Sequence, residues 1–550
     1  MIGVRAHHNA RTDFHYQEID VIAQVNQWDY FELPLQGPAS GKPFIDVSLT
    51  ADFSCGNLKI RVDGFYDGEG IYKVRFMPPV EGVWDFITHS NQSILDSKLG
   101  QLLCVPPTAD NHGPVRVANQ YHFAYADGTP YHPVGTTCYV WNLQGDEMEE
   151  QTLKTLDQAP FNKMRMCVFP KRYTFNSNEP PVYPFPAKFS GTLKQPWSPE
   201  MVRAYFHQQP PDYWDFDYFN PAYFQHLERC ILDLLARGIE ADLILFHPYD
   251  YGAWGFDRMP AEINDRYLRY IVARLAAFRN VWWSFANEYD LFIGRTMEDW
   301  DHYMQYVQQL DPYNHLRSIH NCQSFYDHTK PWVTHCSIQS WNMYRVPAWR
   351  EKYHKPVVID ECGYEGDINM LWGDLSPERL THRFWTGFTH GGYVGHGETY
   401  VNEREELWWS KGGRLSGSSV ARIAFLRKIF EAAPNLTPVE KVDGELNNLM
   451  EVRNLDMFFG SSGQAIDTII PEGRWNCTAG GYCEDKYFMF YFGSHQPSFR
   501  NFNLPEGSYR VDVIDTWNMT IDCFSECAVG AITIPMPARK YMAIRIQKNL

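Results

Sequence analysis

The stretch Arg279-Asn280-Val281-Trp282-Trp283-Ser284-Phe285-Ala286-Asn287-Glu288-Tyr289-Asp290 decides how the rest of the chain is read. A short apolar run rich in aromatic and β-branched residues predicts a buried strand, and this one stops abruptly at an amide and a carboxylate. The polar pair Asn287-Glu288 therefore sits at a strand's C-terminal tip. In a parallel α/β barrel such tips face the active site, so this pair is the first candidate for chemistry.

Outward from it, strand-like runs alternate with helix-like ones. Residues 131–138, 162–169 and 239–246 precede the central run 280–286, and 317–320, 334–338, 356–360 and 393–395 follow it, eight in all. Asn220 is a helix cap with Pro221 at the first helical position, and Phe224, Leu227, Ile231, Leu234 and Leu235 fall on one stripe before Gly238. Leu268, Ile271, Val272 and Leu275 repeat that spacing ahead of the fourth strand. The fold class predicted is α/β, a (β/α)8 TIM barrel over residues 109–435. Residues 1–108 and 436–550 lack helical periods and break into short alternating runs such as 58–63, 70–76, 82–87, 487–492, 509–514 and 541–546, which predict a β-sandwich on each flank. The N-terminal sandwich is expected to brace the barrel. Its Trp28, Phe65, Tyr66 and Trp84 read as core, with a sugar-binding face as the alternative.

Composition narrows the partners. At 550 residues the chain exceeds one hydrophobic core, and 16% aromatic residues imply ring-lined clefts as well as packed interiors. A net charge of −17 offers no basic field to collect phosphates, which argues against nucleic acid and anionic membrane surfaces. Residues 1–8 lack the apolar core of a signal peptide and no apolar run is long enough to span a bilayer, so a cytoplasmic location is expected. The 12 cysteines are scattered, and Cys138, Cys167, Cys336 and Cys362 lie inside predicted strands, which suits reduced thiols. Cys477 with Cys483 and Cys523 with Cys527 lack zinc spacing, and neither metal nor cofactor is expected. The long Pro- and aromatic-rich excursion 178–216, through Trp197, is read as one wall of a cleft.

A second carboxylate completes the pattern. The seventh strand, Lys355-Pro356-Val357-Val358-Ile359-Asp360-Glu361, also ends in acid, so Glu288 and Glu361 would meet in one mouth from strands four and seven. Facing carboxyls are what glycoside hydrolysis requires, one protonated for the leaving oxygen and one ionised at the anomeric carbon. Chance or a structural ion pair explains either motif alone; together they favour catalysis.

With these residues in place the chain resembles a clan A retaining glycoside hydrolase, which carries an Asn-Glu acid/base at strand four and a Glu nucleophile at strand seven. The 162–166 run with Arg165, His247 at the third tip and Asn287 fit that clan. Residues 131–142 and the order sandwich, barrel, sandwich resemble, more narrowly, bacterial apiosidase-like glycosidases. The resemblance implies Glu288 as acid/base, Glu361 as nucleophile, Asn287 as donor to a sugar 2-hydroxyl and Arg165 as a prop for the nucleophile. Strand six, ending Gln339-Ser340-Trp341-Asn342-Met343-Tyr344, and strand eight, ending Gly397-Glu398-Thr399-Tyr400, depart from the clan pattern and alter the sugar-contacting wall.

Further candidates are weighed against plainer roles. Asp250 and Glu398 hold sugar hydroxyls or else cap a turn and join a salt bridge. Trp254 is a stacking platform or a packed ring, His320 and Trp341 are counted among the substrate-binding residues, and Tyr344 bonds the nucleophile or packs. Asp360 supports its neighbour or pairs with an inner base. His247, His320, His335 and His396 raise a metal-dependent hydrolase as one rival, and a non-catalytic carbohydrate-binding barrel is the other. The expectation is a metal-independent retaining exo-glycosidase acting on short oligosaccharides or glycosides, with an accessory sandwich open to homo-oligomer contact.

Overall fold

The computed structural model describes residues 21–189, 200, 203–204, 212–404, 406–439 and 478–549. Residues 1–8, Trp197 and Cys477, singled out above, lie outside the described residues.

At the centre is a parallel sheet of eight strands: β1 (Gly135–Thr137), β2 (Lys163–Cys167), β3 (Glu240–Phe246), β4 (Val281–Ala286), β5 (Arg317–Ser318), β6 (Cys336–Gln339), β7 (Val357–Glu361) and β8 (Tyr393–His396). Their spatial order is β5-β4-β3-β2-β1-β8-β7-β6, and a parallel bridge from His320 to Ser337 joins the two ends into a barrel. The predicted helix is present as Pro221–Leu235, where the Asn220 side chain accepts from the Ala222 N–H and Phe224, Leu227, Ile231 and Leu234 are buried. Ala261–Leu275 buries Leu268, Ile271, Val272 and Leu275 on one stripe. Both helices pack their apolar faces on the sheet, as amphipathic helices in this fold must.

Residues 21–105 form seven strands in two layers. Leu58–Gly68 belongs to both, its first half pairing with Leu49–Cys55 and its second with Ile71–Phe76. Phe53 stacks on Phe76 at 3.9 Å between ring centroids, and Trp84, Phe65 and Tyr66 are buried, so these rings are core. On the other flank, Thr437–Pro438 from the end of the barrel forms the edge of a six-stranded sheet, and a two-stranded sheet, Phe499–Asn503 with Ala531–Pro535, accompanies it. That sheet meets the barrel helix Pro377–Thr389 through a 3.0 Å hydrogen bond between His382 Nδ1 and the Tyr491 hydroxyl. Among the described residues no helix is long and apolar enough to cross a membrane.

Buried charge locks the N-terminal sandwich to the barrel. Arg75 lies 2.7 Å from Glu228, which is also 2.6 Å from Arg274, and Arg274 reaches Asp67 at 2.7 Å. Arg75, Glu228, Arg274 and Asp67 are all buried, and removing one member of such a set strands the others. Glu228→Gln is therefore expected to destabilise the protein by about 3 kcal/mol, read as a lower midpoint in thermal unfolding; an unchanged midpoint would show that the sandwich is held by apolar packing alone.

Candidate active site

The decisive local feature is a bulge in β7. Ser337 and Ile338 of β6 face Val358 and Ile359, yet the next partner of Gln339 is Glu361, so Asp360 is an extra residue. Successive strand side chains normally point to opposite faces. Here a bulge re-aims them, and both acids enter the barrel interior. Asp360 turns to Lys163 Nζ at 2.7 Å and to Ser337 Oγ at 2.5 Å. Glu361 turns to Arg165 Nη1 at 3.4 Å, His320 Nε2 at 3.5 Å and the Tyr139 hydroxyl. Gly395 of β8 makes room, since a Cβ there would meet the Asp360 carbonyl oxygen at 2.5 Å.

Glu288 follows β4 with φ 47° and ψ 56°, a left-handed conformation that costs a non-glycine residue about 1–2 kcal/mol. This kink ends the strand at the acid. Asn287, beside it, is buried; its Oδ1 accepts from Arg165 at 3.1 Å and from the Tyr139 hydroxyl at 3.3 Å, and its Nδ2 donates to the Tyr249 hydroxyl at 3.3 Å. Arg165 and Tyr139 thus touch both the residue next to Glu288 and Glu361 itself.

The two carboxyls line one cavity of about 330 Å³, together with Tyr139, Lys171, Gln339 and Trp341, and the rings of Phe175, Tyr249, Trp372 and Trp409 close its walls. That volume lies at the small end of ligand pockets, about 300–1,000 Å³. Electrostatics separates the acids. Burial, then the negative charge of Glu361, pushes Glu288 up to about 8, against the opposing effects of Lys171, Cys322 and Gln339. Burial would also raise Glu361, but His320, Arg165, Tyr139 and Lys171 outweigh it and hold its carboxyl below the usual range. His320 is itself pushed down to about 4, chiefly by burial, so at neutral pH the permanent charge beside Glu361 is Arg165.

Of the residues singled out in the sequence, Glu288, Glu361 and Trp341 line the cavity, and Asn287, Arg165 and His320 stand directly behind the acids. The other five are placed elsewhere. His247 has both ring nitrogens engaged by backbone, Nε2 to the Phe169 carbonyl at 3.2 Å and Nδ1 to the Tyr249 N–H at 3.3 Å. Asp250 accepts the N–H groups of Trp254 and Phe256 at 2.6 and 2.8 Å, fixing a loop, and Trp254 is packed inward against Phe256. Tyr344 lies against His382 and His390, and the bond to Glu361 comes instead from Tyr139. Glu398 accepts from the Ser416 and Gly417 N–H groups at 2.6 and 2.8 Å. The indoles of Trp282 and Trp283, in the strand that leads to Glu288, donate to Glu240 and Asp311.

Tyr139, Lys171, Tyr249 and Trp409 escaped the sequence reading, whereas Gln339 was read as part of the sugar-contacting wall and does line the cavity. Tyr139, Lys171 and Tyr249 lie two to four residues beyond strand tips, which is the signal that could have found them. The excursion 178–216 contributes none of its described residues to the cavity; the wall after β2 is built instead by Tyr173, Thr174 and Phe175, which precede it. Among the described residues, the group of His, Cys and carboxylate atoms within metal-ligand reach is Glu149, His226 and Cys230, which does not include the His247, His320, His335 and His396 considered above.

Comparison with known proteins agrees with this geometry. Residues 117–431 match the model of the apiosidase-like catalytic domain, and residues 24–91 and 475–547 match two domains of unknown function, DUF5060 and DUF5605. A crystal structure from Bacteroides vulgatus, described provisionally as a glycoside hydrolase, shares 38% identity over 96% of this chain and all of its own, with a TM-score of 0.82. A family 5 glycoside hydrolase from the same organism shares the fold, at 13% identity over 80% of this chain and 94% of its own, with a TM-score of 0.55. No curated protein matches.

The bulge yields a sharp test. In Gly395→Ala the added methyl meets backbone, which cannot swing away as a side chain would, so Asp360 and Glu361 must shift. A loss of about 1–3 kcal/mol in stability is expected together with a fall in turnover. Wild-type behaviour in both would show that the β7 backbone is not fixed by this contact.

Proposed function

We propose that this chain, which belongs to the apiosidase-like family and is a glycoside hydrolase, cleaves its substrate by double displacement with retention of configuration, through Glu361 as nucleophile and Glu288 as acid/base. The observation that carries this reading is the opposite protonation of two carboxyls in one cavity, Glu288 holding its proton to about 8 and Glu361 kept ionised. Glu361 attacks the anomeric carbon while Glu288 gives its proton to the leaving oxygen, forming a glycosyl ester on Glu361. Glu288, now ionised, takes a proton from water, whose oxygen attacks the same carbon and frees Glu361.

The surrounding contacts support these roles. Arg165, His320 and Tyr139 all meet Glu361 Oε1 and Tyr364 stands beside the same carboxyl, so the group is held in place for attack on the anomeric carbon. Asn287, fixed by three polar neighbours, is suited to donate to the sugar 2-hydroxyl, and Trp341 offers a ring to the substrate. A cavity of about 330 Å³ fits removal of a terminal residue from a short oligosaccharide or glycoside better than binding within a polymer.

Glu361→Gln is expected to lose at least about 10³-fold in kcat on a responsive aryl glycoside, and near-wild-type turnover would remove Glu361 from the nucleophile's role. The Glu288 carboxyl must be protonated to act as acid, so kcat/KM is expected to fall as pH rises through about 8. In Glu288→Gln, assayed with an activated leaving group, that alkaline limb disappears; its persistence would assign it to another group. Proton NMR of the first sugar released gives the stereochemistry, and the inverted anomer would exclude the ester intermediate.

A further inference from the structure

Lys171 lies four residues beyond the tip of β2, in the wall of the cavity that holds Glu288 and Glu361, and is 2% exposed. Its ammonium faces four rings, 3.5 Å from the centroid of Tyr139, 4.0 Å from Tyr249, 4.4 Å from Tyr173 and 5.2 Å from Trp409. Among the described residues, no carboxylate, carbonyl or hydroxyl oxygen forms an ion pair or hydrogen bond with Nζ. The neighbouring buried cations are different: Lys163 is paired with Asp242 and Asp360 at 2.6 and 2.7 Å, and Arg165 with Asp242 and Glu361.

Ring faces attract a cation, but they accept none of its hydrogen bonds in the way an oxygen does. Desolvating an ammonium costs several kcal/mol, more than a face contact returns, and burial brings Lys171 down to about 8 despite the nearby Glu361 and Glu288, so at neutral pH the cavity holds a charge that no oxygen hydrogen-bonds. A neutral hydroxyl entering the cavity would satisfy a hydrogen bond and leave the charge. An anion satisfies both. The cavity has room for one electrostatically, because Glu361 is already matched by Arg165 and Glu288 carries a proton at neutral pH.

We propose that Lys171 recognises a carboxylate on the substrate, so that the enzyme acts on glycosides of an acidic sugar, a uronic acid, in preference to neutral ones. This rests on the glycosidase reading of the same cavity. It makes Lys171 a specificity residue, with the aromatic box fixing the position of its ammonium.

The test uses the full chain and matched pairs of aryl glycosides, glucuronide against glucoside and galacturonide against galactoside, in both anomeric forms. Wild type is expected to favour a uronide, and Lys171→Met to lower the uronide-to-neutral ratio of kcat/KM by about 100-fold, the worth of a charged hydrogen bond. Calorimetric titration of the wild-type protein with free glucuronate, galacturonate, glucose and galactose provides a reading that needs no variant; a uronate should bind more tightly than its neutral partner. Neutral substrates preferred, or a ratio unchanged in a folded Lys171→Met protein, would overturn the proposal while Glu361-dependent hydrolysis kept the glycosidase reading. Lys171-dependent uronate binding without hydrolysis of any glycoside would do the reverse, and absence of both binding and hydrolysis would overturn the two together.

Discussion

One additional residue in β7 is the constraint on which the site depends. Without the bulge at Asp360, strand alternation would send Asp360 and Glu361 to opposite faces, and one of the two acids would be lost to the helical layer. With it, a single strand serves two levels of the interior. Asp360 joins Asp242 in holding Lys163, and Glu361 faces the cavity. The glycine in β8 that admits the displaced carbonyl is as much a part of this arrangement as the acids.

Below the cavity, charge is arranged in close pairs. Lys163 and Arg165, two residues apart on β2, point to the same side and meet Asp242, Asp360 and Glu361. Such groups are costly to bury singly but hold one another when complete. Their effect reaches the cavity as a division of labour: a guanidinium near Glu361 keeps it charged, and that charge helps to keep Glu288 neutral. The difference in charge between the two acids thus follows from the groups beside Glu361, His320 and Arg165 foremost, both being buried carboxyls of the same type.

The barrel was legible in the sequence because apolar runs such as 239–246 and 280–286 alternate with amphipathic helices, and the two acids were legible because each ends such a run. What lay beyond was everything set by loops or by register. Asp250 and His247 looked like binding groups by proximity to the third tip, yet their polar atoms are consumed by the backbone of the turn they occupy. Tyr139 and Lys171 gave no periodic signal, since they follow strands instead of belonging to them. The β7 bulge was invisible for a related reason: residue order records no partner register, and an extra residue in one strand is defined only against its neighbour.

The strand Leu58–Gly68 leads to a point about motion. It threads both layers of the N-terminal sandwich, and two of its acids, Asp63 and Asp67, hold Arg269 and Arg274 of the barrel helix Ala261–Leu275. Swinging that domain away would break these contacts and strain the strand that unites its layers. The sandwich is therefore expected to act as a fixed buttress, which leaves any opening of the cavity to side chains and loops of the barrel itself.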